Sequence, residues 1–429
     1  MTNGMQRTLV RGISTLLTGE GPLRGPIARW SDLGALHDAA VVVAHAPDDA
    51  RHGGGLHGGA LHGGTIAWLG SASDPKRPAV DAERDLGGAV VLPGLVDAHT
   101  HAVFAGDRAQ ELMLRLGGAS YQEIAASGGG IVHTMAATRA ASPEALRDGL
   151  LHRLREMAAW GARVVEVKTG YGLDLASELR SLDAIAAARA ALAGRMTVVA
   201  TAMPAHAVPP EFAGRKQDYV ALCAEEILPA MAAHPAAPAF VDVFVEAGYF
   251  DVADAERLAA VGAAHGMRLK AHVDEFERVG GLRWAIDRGA TSVEHLLASD
   301  PADLAALAAS ETVAVALPLV SVFLGQPFAA MRALVDAGGL LAVATDCNPG
   351  SSMSTNLLLA AQMAVFGGRL TPAEVVRALT RGGARALGCP GGYDGRLRVG
   401  GPFVATAFAV ATPDALLYEL GAPPRAVGM

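Results

Sequence analysis

The segment Leu92-Pro93-Gly94-Leu95-Val96-Asp97-Ala98-His99-Thr100-His101 carries an apolar, partly β-branched run into two histidines. An extended chain turns alternate side chains to the same side, so both imidazoles face one way. Two neutral imidazoles on one side are half of a ligand set for zinc or a neighbouring first-row metal. The pair alone is more often a polar strand end, so the metal reading depends on what else converges on it. Three further apolar runs end in groups of related chemistry, His272, His295 and Asp346. Any one of these histidines can be a hydrogen-bonded core residue. Taken together, His99, His101, His272 and Asp346 suffice to hold one metal ion and leave a position for water, as hydrolytic metal sites require.

Side chains this far apart in sequence meet only if a regular scaffold gathers the ends of their strands. From residue 93 onward a unit repeats: an apolar β-branched run, a polar loop and a helical stretch. The runs occupy residues 95–99, 163–168, 196–203, 240–246, 268–272, 291–295, 312–317 and 341–346. Helix ends are legible between them. Ser142 caps with Pro143 behind it, Gly161 closes after Trp160, Asp251 and Ser299 cap two more, and Thr371-Pro372 opens a helix running to Leu387. Eight such units over about 300 residues predict an α/β fold, a (β/α)8 TIM barrel, whose strand C-termini share the face where the chemistry resides. His99 and His101 then leave strand one, Tyr171 follows strand two and His206 strand three, while His272, His295 and Asp346 end strands five, six and eight.

Residues 1–92 differ, with short apolar runs at 39–44 and 65–69 between glycine-rich turns and no helical period. They are expected to form a small β-sandwich domain with residues 395–429, where Gly400-Gly401-Pro402 precedes the apolar run 403–410. The barrel takes residues 93–394. The tract 51–62 sets His52, His57 and His62 among glycines. It is not read as a metal site, because binding would have to supply the entropy of ordering so flexible a chain.

Of the 429 residues, 51% are hydrophobic, enough for a large core. The net charge of -8, without a Lys/Arg stripe, argues against a nucleic-acid partner. Residues 312–331 are uncharged, but Pro318, Ser321, Gly325, Gln326 and Pro327 interrupt them, so a buried strand and loop is expected and no membrane span. Three scattered cysteines, Cys223, Cys347 and Cys389, make no disulfide framework. With no signal peptide evident, a cytoplasmic enzyme with a small-molecule substrate, assembled as a homodimer, is the expectation.

The order of the strand-end groups, His-x-His, His, His and Asp, resembles the amidohydrolase superfamily. Within it, Val103-Phe104-Ala105-Gly106-Asp107-Arg108, Ser120-Tyr121-Gln122-Glu123-Ile124 with Gly128-Gly129-Gly130-Ile131, Glu166-Val167-Lys168-Thr169-Gly170-Tyr171-Gly172-Leu173, Lys270-Ala271-His272-Val273-Asp274-Glu275 and Thr345-Asp346-Cys347-Asn348-Pro349-Gly350-Ser351 resemble the imidazolonepropionase family. That resemblance implies hydrolysis of the ring amide of 4-imidazolone-5-propanoate to N-formimidoyl-glutamate. It also implies one zinc or iron ion on His99, His101, His272 and Asp346, and substrate contacts from Arg108, Tyr171, His206, Glu275, Asn348, Gly350 and Ser351. Binuclear members of the superfamily carry a lysine at the end of strand four, and Val243-Phe244-Val245-Glu246-Ala247-Gly248 has none. A single metal is the consequence. Lys168 and Lys270 are expected to be structural or to sit behind the ligands.

Hydrolysis of a cyclic amide is slow because water is a poor nucleophile and the carbonyl is resonance-stabilised. A metal answers the first difficulty by lowering the pKa of its water to about 7. Asp346 can then take the proton and pass it to the departing nitrogen. His295 can donate to the developing oxyanion or help deprotonate the water. Glu275 can bind a ring N–H or steer the water, and the division of labour among these three stays open. Arg108 matches a substrate carboxylate with its planar fork. The alternatives are a cyclic-ureide hydrolase, an aminohydrolase acting on a purine-like ring, and a non-catalytic metal-binding barrel.

Overall fold

Parallel strands buried on both faces read as near-continuous apolar runs, and each of the eight runs contains such a strand. The computed structural model describes residues 5–45, 61–119, 123–124 and 128–427. In chain order the strands are β1 (Gln6–Leu17), β2 (Ala35–His45), β3 (His62–Ser71), β4 (Ala82–Pro93), β5 (Leu95–Asp97), β6 (Ala162–Lys168), β7 (Thr197–Ala205), β8 (Phe240–Val245), β9 (Arg268–Val273), β10 (Ser292–His295), β11 (Val313–Ala316), β12 (Leu341–Val343) and β13 (Pro402–Phe408). Strands β5 to β12 lie side by side in sequence order in one eight-stranded sheet. The ends of that sheet meet at the mouth of the barrel, where Thr100 and Cys347 form a parallel bridge. Beside it, Asp346 N–H donates to the His99 carbonyl at 3.0 Å and His101 N–H to the Cys347 carbonyl at 3.1 Å. The buried Asp97 carboxylate adds a stitch, accepting from Thr345 N at 3.0 Å and Thr345 Oγ1 at 2.7 Å.

The helix ends follow local chemistry. Ser142 Oγ accepts from Ala145 N at 3.1 Å, Asp251 and Thr371 form capping boxes, and Gly161 takes φ 101° after Trp160. The cap expected at Ser299 falls one residue later. Asp300 accepts from Asp303 N at 2.8 Å with Pro301 in the first turn, while Ser299 Oγ donates to Asp274 Oδ2 at 2.7 Å. The helix opened by Pro372 passes through a π-turn, Ala378–Gly382, before its last turn Gly383–Ala386. After β11, residues expected as loop form the helix Pro318–Leu324. Among the described residues no helix is long and apolar enough to cross a membrane.

The small domain corrects the expectation of a two-layer sandwich. Its strands run β1-β2-β3-β13-β4 round a closed barrel. β1 pairs antiparallel with β2 and parallel with β4, and both registers shift near Gly12, where φ is 68°. A bulge of this kind bends and twists a strand, which lets one sheet curl round until its edges meet. Val10, Ile13, Leu16, Val41, Val43, Ile66, Val91 and Phe403 fill the interior. Residues 51–60 of the glycine- and histidine-rich tract, and 120–122 of the Ser120 motif, lie outside the described residues.

Candidate active site

His99, His101, His272 and Asp346 meet at the C-terminal mouth of the large barrel. His101 Nε2 lies 3.1 Å from His272 Nε2, and Asp346 Oδ1 lies 3.2 Å from His99 Nε2 and 3.5 Å from His101 Nε2. An ion bound tetrahedrally through bonds of 2.0–2.1 Å separates its ligand atoms by about 3.3–3.4 Å. These three spacings match groups arranged round one ion, and His99, His101 and Asp346 lie mutually within 4.8 Å. His99 Nε2 and Asp346 Oδ1 are buried without a hydrogen-bond partner, and a cation between them would satisfy both. Burial holds the His99 and His101 imidazoles well below their usual range, with Lys168 adding to this at His99 and His206 at His101. The neutral form is the one that binds metal. His99, His272 and His295 make a second group within 4.8 Å, so His295 borders the same point. Its Nε2 stands 3.5 Å from Glu275 Oε2.

Beneath the ligands the barrel core is charged. Lys168 Nζ bridges Glu166 Oε2 at 2.9 Å and Asp242 Oδ2 at 2.7 Å, and Lys270 Nζ reaches Glu166 Oε1 at 2.8 Å. Asp242 Oδ1 faces His272 Nδ1 at 3.1 Å. Burial opposes ionisation of Asp242, but the His272 ring and the Lys168 ammonium overcome it and hold the carboxyl well below the usual range. Nδ1 of His272 thus donates to a carboxylate, which leaves Nε2 facing His101. Composition and spacing did not single out Asp242. The one available signal was a carboxylate within an otherwise apolar strand, where an unpaired charge is untenable.

The backbone at the mouth is strained. Asp274, His295, Leu296 and Asp346 all take positive φ, at 53°, 71°, 64° and 51°. For residues with a Cβ this costs about 1–3 kcal/mol each. The strand β12 ends at Val343, three residues before Asp346, and not at residue 346.

A small cavity opens over the cluster, lined by His101, Arg108, Ile131, Tyr171, His206, Phe244, His272, Glu275, His295, Asp346, Asn348 and Ser351. Every residue named from the sequence as a substrate contact lines it except Gly350. A Cβ on Gly350 would collide with Arg108 Nη1, so this glycine makes room for the guanidinium. Arg108 Nε donates to Glu111 Oε2 at 2.8 Å. His206 Nδ1 donates to the Gly170 carbonyl at 3.0 Å, and its ring stacks on His101 at 4.8 Å and 20°. Burial pushes the His206 imidazole down to about 3, with His272 contributing. Asn348 spends its side chain on its own turn, donating from Nδ2 to Asp346 O and accepting at Oδ1 from Gly350 N and Ser351 N. Burial, then Asp346 and Glu246, raise the Glu275 carboxyl well above its usual range, and burial pushes Asp346 up to about 7.

Residues 90–423 match the amidohydrolase family. An imidazolonepropionase of Chloroflexus aggregans is 45% identical over 97% of this chain and 96% of its own length. One of Deinococcus radiodurans is 43% identical over 90% of this chain and 89% of its own. A solved adenosine deaminase of Xanthomonas campestris, described with bound zinc, shares the fold at TM-score 0.63 and 18% identity, covering 97% of this chain and 87% of that one. A family match over most of the sequence, with relatives above 40% identity spanning nine-tenths of it, shows that the chain belongs to the amidohydrolase family of metal-dependent hydrolases, in its imidazolonepropionase group.

Proposed function

We propose that the chain hydrolyses the ring amide of 4-imidazolone-5-propanoate to N-formimidoyl-L-glutamate, with one zinc or iron ion held by His99, His101, His272 and Asp346. The observation that carries this is the joining, in one cavity, of a hydrolytic ligand cluster to Arg108, Tyr171 and His206. A guanidinium beside two ring side chains suits a small ring bearing a carboxylate arm. A divalent metal held there would supply Lewis acidity and make water acidic enough to act near neutral pH. Asp346 takes the proton of the attacking water and returns it to the departing ring nitrogen, a role suited to a carboxylate whose Oδ1 lies among the ligand nitrogens. His295, held neutral by burial, donates to the developing oxyanion. Glu275, beside His295 on the cavity wall, holds a ring N–H. Arg108, Tyr171, His206, Asn348, Gly350 and Ser351 shape the pocket round the propanoate arm, Gly350 by admitting Arg108 and Asn348 by fixing the turn that presents Ser351. A homodimer in a reducing cytoplasm belongs to the same proposal, and Cys223 and Cys347 are buried free thiols.

The test is the loss of imidazolone absorbance when metal-loaded protein meets freshly made imidazolonepropionate, with a cyclic ureide and a purine-like amine as comparison substrates. Turnover of either comparison substrate in preference to imidazolonepropionate would sink this assignment.

A further inference from the structure

Glu246 lies just past β8, the fourth strand of the large barrel, and is 3% exposed. Its carboxylate touches no group of the ligand cluster. Instead Oε2 accepts from Glu275 N at 3.1 Å and Phe276 N at 2.9 Å, while Oε1 accepts from Glu277 N at 3.0 Å and Ala247 N at 2.9 Å. Three consecutive N–H groups of one turn therefore converge on one buried carboxylate. That turn carries Glu275 into the cavity. Its other end is pinned from the next loop, where Ala298 N donates to the Asp274 carbonyl at 2.8 Å and Ser299 Oγ to the Asp274 carboxylate at 2.7 Å. Asp274, at φ 53°, could relax if either anchor were lost.

We infer that Glu246 is a positioning residue for Glu275, holding the turn after β9 so that the Glu275 carboxyl meets His295 and the substrate ring. This rests on the proposed role of Glu275. A carboxylate suits the task because it is all acceptor. With Oε1 and Oε2 each receiving two N–H groups, a glutamine in either orientation would set its own NH2 against two of them. A side chain displaced by about 1 Å can lose about 10²-fold in turnover without loss of binding.

The test compares metal-loaded wild type, Glu246→Gln, Glu275→Gln and the double variant on imidazolonepropionate, with metal content and unfolding midpoint measured for each. Glu246→Gln should keep its metal and lose kcat/KM by up to about 10²-fold. Added to Glu275→Gln, it should cost little more, since the group it positions is already gone. Losses that multiply in the double variant would make Glu246 a general structural residue and overturn the inference. So would wild-type kcat/KM in Glu246→Gln while Glu275→Gln is impaired. Wild-type turnover in Glu275→Gln would remove Glu275 from catalysis and the inference with it, an outcome distinct from the other two. Should Glu246→Gln fail to fold, Glu246→Asp, which keeps the charge but draws the acceptors back by one methylene, carries the same comparison.

Discussion

Asp242 and His272 are joined through Oδ1 and Nδ1 at 3.1 Å, and the second oxygen of Asp242 holds Lys168 at 2.7 Å. The carboxylate therefore fixes the tautomer of His272 and aims Nε2 at the ligand cluster. Such a partner also makes the imidazole more basic and so a better ligand. Asp242→Asn keeps the shape and one acceptor but drops the charge, and its NH2 must face either His272 or Lys168. Metal affinity should fall by about 10–100-fold, read by competition with a chelator. Affinity equal to wild type would show that His272 needs no such partner.

Asp346 is both a neighbour of His99 and His101 and a carboxyl pushed by burial to about 7. Asparagine there can still offer an oxygen to a metal but cannot take a proton near neutral pH. Asp346→Asn, reloaded with metal, should lose about 10²–10⁴-fold in turnover, the usual scale of general acid/base catalysis. Near-normal turnover in the loaded variant would refute the proton role.

The strand ends were legible because each parallel strand, buried on both faces, leaves an apolar run that breaks off abruptly at a polar group, as at His272 and His295. What lies behind them was not. Lys168 and Lys270 stood out as charges in apolar strands, but that Lys168 on β6 pairs with Asp242 on β8, 74 positions away and across β7, depends on how the strands are staggered, which no local pattern records. The small domain shows the same limit. A sandwich and a closed barrel present the same short alternating strands, and closure here turns on the parallel pairing of β1 with β4 across the bend at Gly12. Asn348 shows a subtler one: its residue type suits a ligand contact, yet Gly350 N and Ser351 N claim its oxygen.

His62, at the start of β3 beside Val404, has both ring nitrogens enclosed without a hydrogen-bond partner. Burial, helped by the Arg163 charge, lowers its pKa from 6.5 to about 4. Above 6.5 the ring is neutral folded or unfolded and adds no pH dependence. As pH falls below that value the unfolded chain takes up a proton that the fold refuses, so stability declines until about pH 4, where the folded form also protonates. Denaturant unfolding of the metal-free protein across this range should show wild type losing up to about 1.4 kcal/mol more per pH unit than His62→Leu. Parallel slopes for the two proteins would mean that His62 protonates freely in the fold.

The proposed carboxylate contact of Arg108 starts from how its side chain is held. Its Nε donates to Glu111 Oε2 at 2.8 Å, and the other oxygen of Glu111 accepts from Gly130 N at 2.8 Å, so the arginine is braced against the start of the helix Gly130–Ala140. Gly350 leaves space for the guanidinium, which lines the same cavity as Tyr171 and His206. A contact to a propanoate carboxylate is made already in the ground state, so its loss should raise KM and leave kcat nearly unchanged. A charge-assisted hydrogen bond of about 1.5–3 kcal/mol corresponds to about 10–150-fold. Arg108→Lys should recover part of this, since it restores charge without the planar fork. Steady-state kinetics of Arg108→Ala and Arg108→Lys are compared on imidazolonepropionate and on the analogue whose carboxylate is masked as an amide. Wild type should strongly prefer the anion, and the alanine variant should lose most of that preference. If the preference survives intact in Arg108→Ala, the carboxylate is anchored elsewhere, and Tyr171 and His206 on the same wall are the next to replace.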